Sequence, residues 1–281
     1  MGILYLVATP IGNLEDITLR ALRILKEVSL VAAEDTRSAR NLLTHFGISK
    51  PITSYFEHSK LTKTNQILDA LEEGDVAVIS EAGMPGLSDP GYELVCAALD
   101  HDFRVVPIPG ANALTSALVA SGLPTDQFVY VGFLPRQKSA RRKLLQSIVD
   151  EPRTIVAYEA PHRIVESLDD IAETLGDRAI CVARELTKVY EEFIRGSVNE
   201  ARKHFAEHAP RGEFTLVIAG KSDLPGFGNL EGLAWDDARV IQAMQDLIAQ
   251  GSTRSQAAKR VAHESGRDRR EVYQLSMTIE K

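Results

Sequence analysis

Short apolar runs alternate along the first part of the chain with stretches whose apolar residues recur every three or four positions. The short runs predict β-strands, and the wider spacing predicts amphipathic helices such as Leu19–Val28, Thr62–Glu73 and Leu94–Asp100. This alternation predicts βαβ units and a mainly parallel sheet. The strands predicted in this part are Ile3–Thr9, Leu30–Glu34, Ile52–Tyr55, Val76–Ser80 and Val105–Ile108.

A break at Ser121–Thr125, which contains Gly122 and Pro124, separates this pattern from a second series of strands. The stretch between Val182 and Phe193 is too short for a crossover helix, so some of these strands must pair antiparallel. The strands predicted in this part are Phe128–Phe133, Thr154–Tyr158, Ile180–Ala183, Glu192–Arg195 and Phe214–Ala219.

The last part of the chain carries only helical patterns, after a Pro/Gly-rich segment at Pro225–Gly228 that is typical of a linker. Its predicted helices are Asp236–Gln250, Ser255–Glu264 and Arg269–Met277. We therefore expect an α/β domain over residues 1–121, a second α/β domain over 122–226, and a helical appendage over 227–281.

Composition is that of a soluble globular protein, with 44% hydrophobic and 25% charged residues among 281. No apolar stretch reaches the roughly 18 residues that cross a bilayer, so no membrane partner is expected. Cys96 and Cys181 lie far apart in apolar settings and indicate buried thiols and a cytoplasmic protein. No Cys/His spacing resembles a metal site. With a net charge of −7, any nucleic-acid partner would need a local basic patch.

The loop Ser80–Gly91 follows a predicted buried strand and contains three glycines and two prolines. In open α/β sheets, ligands bind in the crevice beyond the carboxyl ends of the strands. Gly83 and Gly86 would let the backbone approach such a ligand closely. Asp89 is placed to cap the helix that begins near Pro90. A tight connector without a ligand explains the loop equally well.

The loop after the first strand, Ala8–Leu14, contains one glycine. Dinucleotide-binding proteins carry a Gly-x-Gly-x-x-Gly turn there, and no Walker sequence occurs in the chain. The sequence therefore does not predict a nucleotide phosphate as the ligand of this loop.

Four long motifs stand at Thr9–Leu14, Ala33–Arg37, Ser80–Gly91 and Ala157–Arg163. They resemble the tetrapyrrole methylase-like family of S-adenosylmethionine-dependent transferases, and within it the enzymes that methylate ribosomal RNA. The resemblance covers nearly the whole chain. It implies a class III methyltransferase fold with the cofactor in a cleft between two α/β domains, and a homodimer. It further implies 2′-O-methylation of a cytidine in the decoding region of 16S rRNA, as naked RNA or in the small ribosomal subunit.

The same resemblance implies which residues contact S-adenosylmethionine. Ala82–Met84 stand where related tetrapyrrole enzymes have Gly-Gly-Asp, so backbone contacts should survive while the acidic side chain is lost at Met84. A sulfonium cofactor without phosphates needs backbone hydrogen bonds, apolar walls and carboxylates. The implied cofactor residues are Pro10, Ala82, Gly83, Met84, Leu87, Ser116, Ala117, Tyr158, Glu159 and Leu186.

A ribose hydroxyl ionises far above neutral pH, so a nearby base would assist the transfer. Asp35 is the first candidate, because the resemblance implies a proton-accepting aspartate at this position. A helix cap or an ion pair with Arg37 explains Asp35 equally well, and His162 is more simply explained as the start of a helix. The candidates near predicted strand ends are Asp35, His58, Glu81, Glu159 and His162, with Glu159 and His58 next after Asp35.

The segment Arg136–Lys143 holds five basic residues and no acidic one. Phosphate contacts there would give an acidic protein its RNA-binding patch, although a charge cluster can also be a plain solvated helix face. Further basic residues lie in the last predicted helices. The predicted RNA-binding residues are Arg136, Lys138, Arg141, Arg142 and Lys143.

Two other function classes remain open from the sequence. A methyltransferase for a tetrapyrrole or another small molecule would share the scaffold, but the basic segment argues against it. A non-catalytic RNA- or ribosome-binding module would not need Pro/Gly-rich loops around a cofactor cleft. Binding of S-adenosylmethionine would separate this module from both enzymes.

Overall fold

The computed structural model describes residues 2–55, 60–221, 237–249, 252–265 and 269–278. The chain divides into two compact units, Met1–Gly220 and Lys221–Lys281. The candidate base His58 and the predicted linker at 225–228 lie outside the described residues.

The first half of the larger unit is a parallel five-stranded sheet in the order β3-β2-β4-β1-β5. Its strands are β1 (Ile3–Val7), β2 (Leu30–Ala33), β3 (Ile52–Ser54), β4 (Val76–Ile79) and β5 (Arg104–Ile108). Its helices are α1 (Leu19–Glu27), α2 (Thr36–His45), α3 (Lys60–Glu73), α4 (Tyr92–Asp100) and α5 (Ala113–Ser121).

Central strand β4 is apolar throughout because helices cover both faces of the sheet. All four of its residues are buried, and its side chains join two apolar clusters, one on each face. A parallel strand covered on both sides needs an uninterrupted apolar run. The helices begin at side-chain caps: Thr18 accepts a hydrogen bond from the Ala21 amide at α1, and Asp35 accepts from the Arg37 and Ser38 amides at α2.

The second half of the unit is a mixed five-stranded sheet in the order β6-β7-β10-β8-β9. Only β6 and β7 pair in parallel among these strands. The strands are β6 (Phe128–Phe133), β7 (Thr154–Glu159), β8 (Ala179–Arg184), β9 (Glu192–Ser197) and β10 (Phe214–Ile218). The helices are α6 (Lys138–Ser147), α7 (Ile164–Leu175) and α8 (Val198–Glu207).

Helix α5 joins the two halves of the larger unit. Leu114, Ala117 and Leu118 recur at helical spacing, and they form one buried cluster with residues of the second sheet such as Val156 and Val217. At the end of the helix, the Arg195 guanidinium donates to the Ala120 carbonyl over 2.6 Å. Helix α5, the last helix of the first half, is therefore also part of the hydrophobic core of the second half.

The smaller unit contains helices with an apolar core of their own. Their buried contacts include Val240, Met244, Val261 and Val272. The helices are α9 (Asp237–Ala249), α10 (Arg254–Ser265) and α11 (Arg269–Leu275), followed by a 3-10 turn at Ser276–Thr278.

The predicted strands are confirmed to within two residues at each end, as are the parallel first sheet and the antiparallel pairing in the second. The predicted cap at Asp89 is wrong: helix α4 has Gly91 as its N-cap residue, without a side-chain hydrogen bond. Cys96 and Cys181 are both free thiols. Within the described residues, no helix has the length and apolar character that crossing a membrane requires.

Candidate functional site

A cavity of about 680 Å³ opens in the larger unit, and we call it the cleft. The loops that follow β1, β2, β4 and β5 form one side, and residues at the ends of β6, β7 and β10 form the other. Its volume lies in the ordinary range for a small-molecule site. The cleft therefore occupies the crevice at the carboxyl ends of the parallel strands.

Two loops of the cleft are tied to each other through their backbones. The Thr9 amide donates to the Gly83 carbonyl over 2.9 Å, and the Gly83 amide donates to the Thr9 carbonyl over 3.1 Å. Gly83 has φ +84°, in the region that favours glycine. A Cβ at this position would lie 3.3 Å from Ile11 Cγ2. The space that glycine leaves is thus taken by a neighbouring loop residue.

Aromatic rings line the wall contributed by the second sheet. Tyr158 makes edge-to-face contacts with Tyr130 and Phe133 at centroid distances of 5.3 and 5.4 Å. The Leu114 amide donates to the Tyr158 hydroxyl over 3.1 Å, which links this wall to helix α5. Burial raises the pKa of Tyr158 well above its usual value, so its hydroxyl stays neutral.

Acidic side chains lie on the opposite side of the cleft. Glu34 follows β2, while Glu81 and Asp89 belong to the loop after β4, and all three line the cavity. Burial raises the pKa of Asp89 to about 6, and the negative charges of Glu34 and Glu81 add to the effect, while a hydrogen bond from Ser80 opposes it. The cleft therefore presents negative charge that favours a cationic ligand.

Most of the predicted cofactor residues come together in the cleft. Ser116 and Ala117 do not line it, and Ala117 is completely buried in the core between the sheets. The first turn of the same helix supplies Asn112 and Ala113 instead. The predicted residues that do line the cleft are Pro10, Ala82, Gly83, Met84, Leu87, Tyr158, Glu159 and Leu186.

Asp35 lies outside the lining of the cleft and caps helix α2. Its side chain is exposed, and Oδ1 accepts from the amides of Arg37 and Ser38 at 2.7 and 3.3 Å. These backbone hydrogen bonds lower the pKa of Asp35 below its usual value. The contacts account for Asp35 as a cap, the alternative that the sequence left open.

Glu159 reaches the cleft but its carboxylate is buried and fully engaged. One oxygen accepts from the Ala160 amide and contacts the Arg163 guanidinium, at 2.7 and 2.5 Å. The other accepts from the Ser167 hydroxyl over 2.5 Å. These partners fix the turn into helix α7. Glu81 and His162 also line the cleft, and both are exposed.

The basic segment divides into buried and exposed members. Arg141 is completely buried, and its Nε donates to Asp170 over 2.7 Å. Arg142 donates to the other Asp170 oxygen over 2.6 Å and also pairs with Glu173. Arg141 is therefore a core ion-pair residue, which corrects the prediction that it contacts phosphate. The members whose side chains are exposed are Arg136, Lys138 and Lys143.

The loop between β8 and β9 borders the cleft through Leu186 and Lys188. Glu185 and Thr187 have φ of +49° and +68°, which is costly for residues other than glycine. Lys188 Nζ bridges Glu185 and Glu213 at 2.8 and 3.0 Å, and these contacts hold the strained backbone.

Phe133, Glu34 and Asp89 are cleft residues that the sequence did not predict. Phe133 and Glu34 stand at or directly after the ends of predicted strands, so their positions carried a usable signal. Among the described residues, no group of three or more His, Cys, Asp or Glu side chains is placed to hold a metal ion.

The sequence profile of the family described as Tetrapyrrole (Corrin/Porphyrin) Methylases matches residues 3–202. This match spans most of the chain and includes the cleft loops that follow β1, β2, β4 and β5. The chain belongs to the tetrapyrrole methylase family. The resemblance seen in the sequence motifs and the predicted fold class are thereby confirmed.

Three curated relatives match most or all of this chain. A protein of Synechocystis sp. named ribosomal RNA small subunit methyltransferase I is 48% identical, covering 100% of this chain and 99% of that protein. A protein of the same name from Bacillus subtilis is 45% identical, covering 97% of this chain and 93% of that protein. One from Thermotoga maritima is 50% identical over 222 residues, 79% of this chain and 100% of that protein.

Solved structures with other names share the fold. Uroporphyrin-III-C-methyltransferase from Thermus thermophilus superposes with a TM-score of 0.54 at 20% identity, covering 83% of this chain and 98% of that one. A diphthine synthase gives a TM-score of 0.59 at 14% identity, covering 78% and 90%. At these identities the similarity concerns the fold alone.

Proposed function

We propose that the protein methylates the 2′-oxygen of a cytidine ribose in the decoding region of 16S rRNA, with S-adenosylmethionine as methyl donor. The observation that carries the proposal is the acidic, aromatic-walled cleft in a chain that matches proteins named ribosomal RNA small subunit methyltransferase I over nearly its whole length. The methylated base and the position of the oxygen are those that the resemblance of the sequence motifs implies.

The residues of the cleft fit a sulfonium cofactor. The cleft offers backbone groups around Gly83, aromatic rings from Phe133 and Tyr158, and the carboxylates of Glu34 and Asp89. The rings suit adenine, and the carboxylates suit a cation. When bound, the cofactor supplies an electrophilic methyl group that a hydroxyl oxygen can attack.

The chain contributes position and a defined environment to this reaction. The paired backbones of Thr9 and Gly83 fix the floor of the cleft, and the Leu114–Tyr158 hydrogen bond fixes its wall. Holding the ribose oxygen and the methyl carbon in line can account for a large part of the rate, because the entropy of orientation is already lost on binding.

The exposed basic residues Arg136, Lys138 and Lys143 are the proposed phosphate contacts. Their charges would offset the repulsion between RNA and a chain whose net charge is −7. With rRNA as the proposed substrate, we also propose a cytoplasmic location. We extend the proposal to a homodimer, as the sequence resemblance implies, and light scattering after gel filtration measures that assembly directly.

The test combines binding and product mapping. Calorimetry should detect S-adenosylmethionine binding to the protein, and incubation with naked 16S rRNA or small ribosomal subunits should place one new ribose methyl group on a decoding-region cytidine. Methylation of a tetrapyrrole but not of RNA would favour the small-molecule alternative. RNA binding without any cofactor binding would leave only the non-catalytic module.

A further inference from the structure

Asp89 lines the cleft and does not cap the helix that follows it. The sequence places it where a helix cap would be, but helix α4 starts from Gly91 with no side-chain hydrogen bond. The Asp89 side chain is partly buried and lines the cleft. The preceding residue, Ser88, has a backbone φ of +61°. A left-handed serine costs about 1–2 kcal/mol, and such strain is typical of loops that hold a functional group in place.

The surroundings of Asp89 come from several elements. Glu34 approaches from the end of β2, and Glu81 and Ser80 belong to the same loop as Asp89. Tyr130 and Tyr158 face it from the second sheet, where the negative charge of Asp89 adds to the rise in the pKa of both tyrosines.

The same loop is also tied to the second sheet. The Ser88 hydroxyl shares a 2.5 Å hydrogen bond with the Tyr130 hydroxyl, and this contact holds the residue next to Asp89 against the opposite wall. The carboxylate therefore sits between the acidic side of the cleft and its aromatic wall.

We propose that Asp89 is the catalytic base, and that its carboxylate accepts the proton of the ribose 2′-hydroxyl during methyl transfer. The inference rests on the proposed function. The 2′-oxygen forms its bond to the methyl carbon with the electron pair of the O–H bond, the proton moves to Asp89, and the carbon–sulfur bond breaks with its pair left on sulfur. The cationic sulfur becomes a neutral thioether, and Asp89 then gives its proton to water.

The acid–base properties and contacts of the side chains support Asp89 over the sequence-predicted bases Asp35 and Glu159. A base works best when its pKa lies near the working pH, and the pKa of Asp89 is raised to about 6. The hydrogen bonds that Asp35 accepts as a helix cap lower its pKa, which makes it a weaker base. Asp35 also lies outside the lining of the cleft. Both oxygens of Glu159 are held by Ala160, Arg163 and Ser167.

The principal experiment compares Asp89→Asn with Asp35→Asn. Asp89→Asn should lower the single-turnover rate on RNA by about 10²-fold or more while leaving RNA affinity within about threefold, because a base contributes in the transition state. Asp35→Asn should keep a near-normal rate, since asparagine caps a helix about as well as aspartate. Near-normal turnover in Asp89→Asn, in a sample that binds S-adenosylmethionine, would overturn the proposal.

A second readout does not depend on turnover. Carbon-13 NMR of the aspartate carboxyl groups, assigned by the signal that Asp89→Asn removes, should show one group titrating near pH 6 in the protein without RNA. Glu34→Gln should move this titration to lower pH, because it removes a neighbouring negative charge. The acid limb of the pH profile of kcat/KM should move in the same direction. An acid limb that stays in place while the NMR titration moves would also overturn the assignment.

Failure of the proposed function and failure of Asp89 as the base give different results. If the wild-type protein binds S-adenosylmethionine and methylates no RNA, then the proposed function fails, and the role of Asp89 fails with it. If the wild-type protein methylates RNA and Asp89→Asn does so at the same rate, only the assignment of the base fails.

Discussion

At the scale of single residues, Gly83 connects backbone conformation with ligand binding. Its φ of +84° and its paired hydrogen bonds with Thr9 join the loops after β1 and β4. A side chain here would strain the backbone and press on Ile11, since the added Cβ points at this residue. A substitution would therefore act on the cleft by shifting the loops that form it.

Gly83→Ala should lower stability by about 1–2 kcal/mol, the cost of a left-handed residue other than glycine, and weaken S-adenosylmethionine binding at least tenfold. Gly47→Ala is the matched control, because Gly47 has φ +64° after the end of α2 and open space around its missing Cβ. It should destabilise by a similar amount and leave cofactor affinity unchanged. Chemical denaturation and calorimetry measure the two effects, and equal losses of affinity would contradict a local role for Gly83.

At the scale of secondary-structure elements, helices α6 and α7 are joined by a buried ion pair. Arg141 on α6 and Asp170 on α7 are both completely buried, and the other Asp170 oxygen is held by Arg142. Burial raises the pKa of Asp170, but its hydrogen bonds with Arg142 and Arg141 outweigh that effect and keep it below the usual value. Removing one partner leaves a buried charge without its main counter-charge.

Arg141→Met should lower the free energy of unfolding by roughly 3 kcal/mol, because the Asp170 carboxylate loses its buried partner. The double variant Arg141→Met/Asp170→Leu should recover most of that loss, since no buried charge then remains. Arg142→Met is the control and should cost much less than Arg141→Met, because this side chain is half-exposed and its ion pairs are screened by solvent. Urea titrations measure all three, and additive losses in the double variant would show that the pair is not coupled.

At the scale of the whole molecule, the family profile ends at residue 202 and the smaller unit begins at Lys221. The relative from Thermotoga maritima matches 79% of this chain over its own entire length, so about a fifth of this chain has no counterpart there. The smaller unit has its own apolar core around Val240 and Val261. These observations assign the cleft and its loops to the larger unit.

RNA affinity should depend on the exposed members of the basic segment. Reversing Arg136, Lys138 and Lys143 to glutamate should weaken RNA binding and flatten its salt dependence by roughly 2–3 units in the log–log slope, because fewer counterions are released. The control reverses Arg20, Lys26 and Lys203, which are exposed elsewhere and give the same change in net charge. Binding of labelled RNA across a salt series measures both, and identical slopes would leave only a net-charge effect.

The strands and helices could be predicted from the sequence because apolar residues recur at different spacings in the two. The position of Asp89 could not, because a capping aspartate and a cleft aspartate precede a helix in the same way. Burial of Arg141 was missed, although Arg141 lies one helical turn before buried Leu145 and so shares its face. Ala117 carried a similar signal, since it continues the apolar stripe of Leu114 and Leu118 on the core face of α5.

The carboxylates of the cleft also bear on how a reaction cycle ends. Glu34, Glu81 and Asp89 attract a sulfonium cation, and methyl transfer removes that positive charge from the sulfur. The neutral by-product keeps the shape of the donor but loses this attraction, and a proton taken up by Asp89 further reduces the negative charge around it. Methyl transfer therefore lowers the affinity of the cleft for the neutral by-product. This favours replacement of the by-product by a new molecule of S-adenosylmethionine over product inhibition.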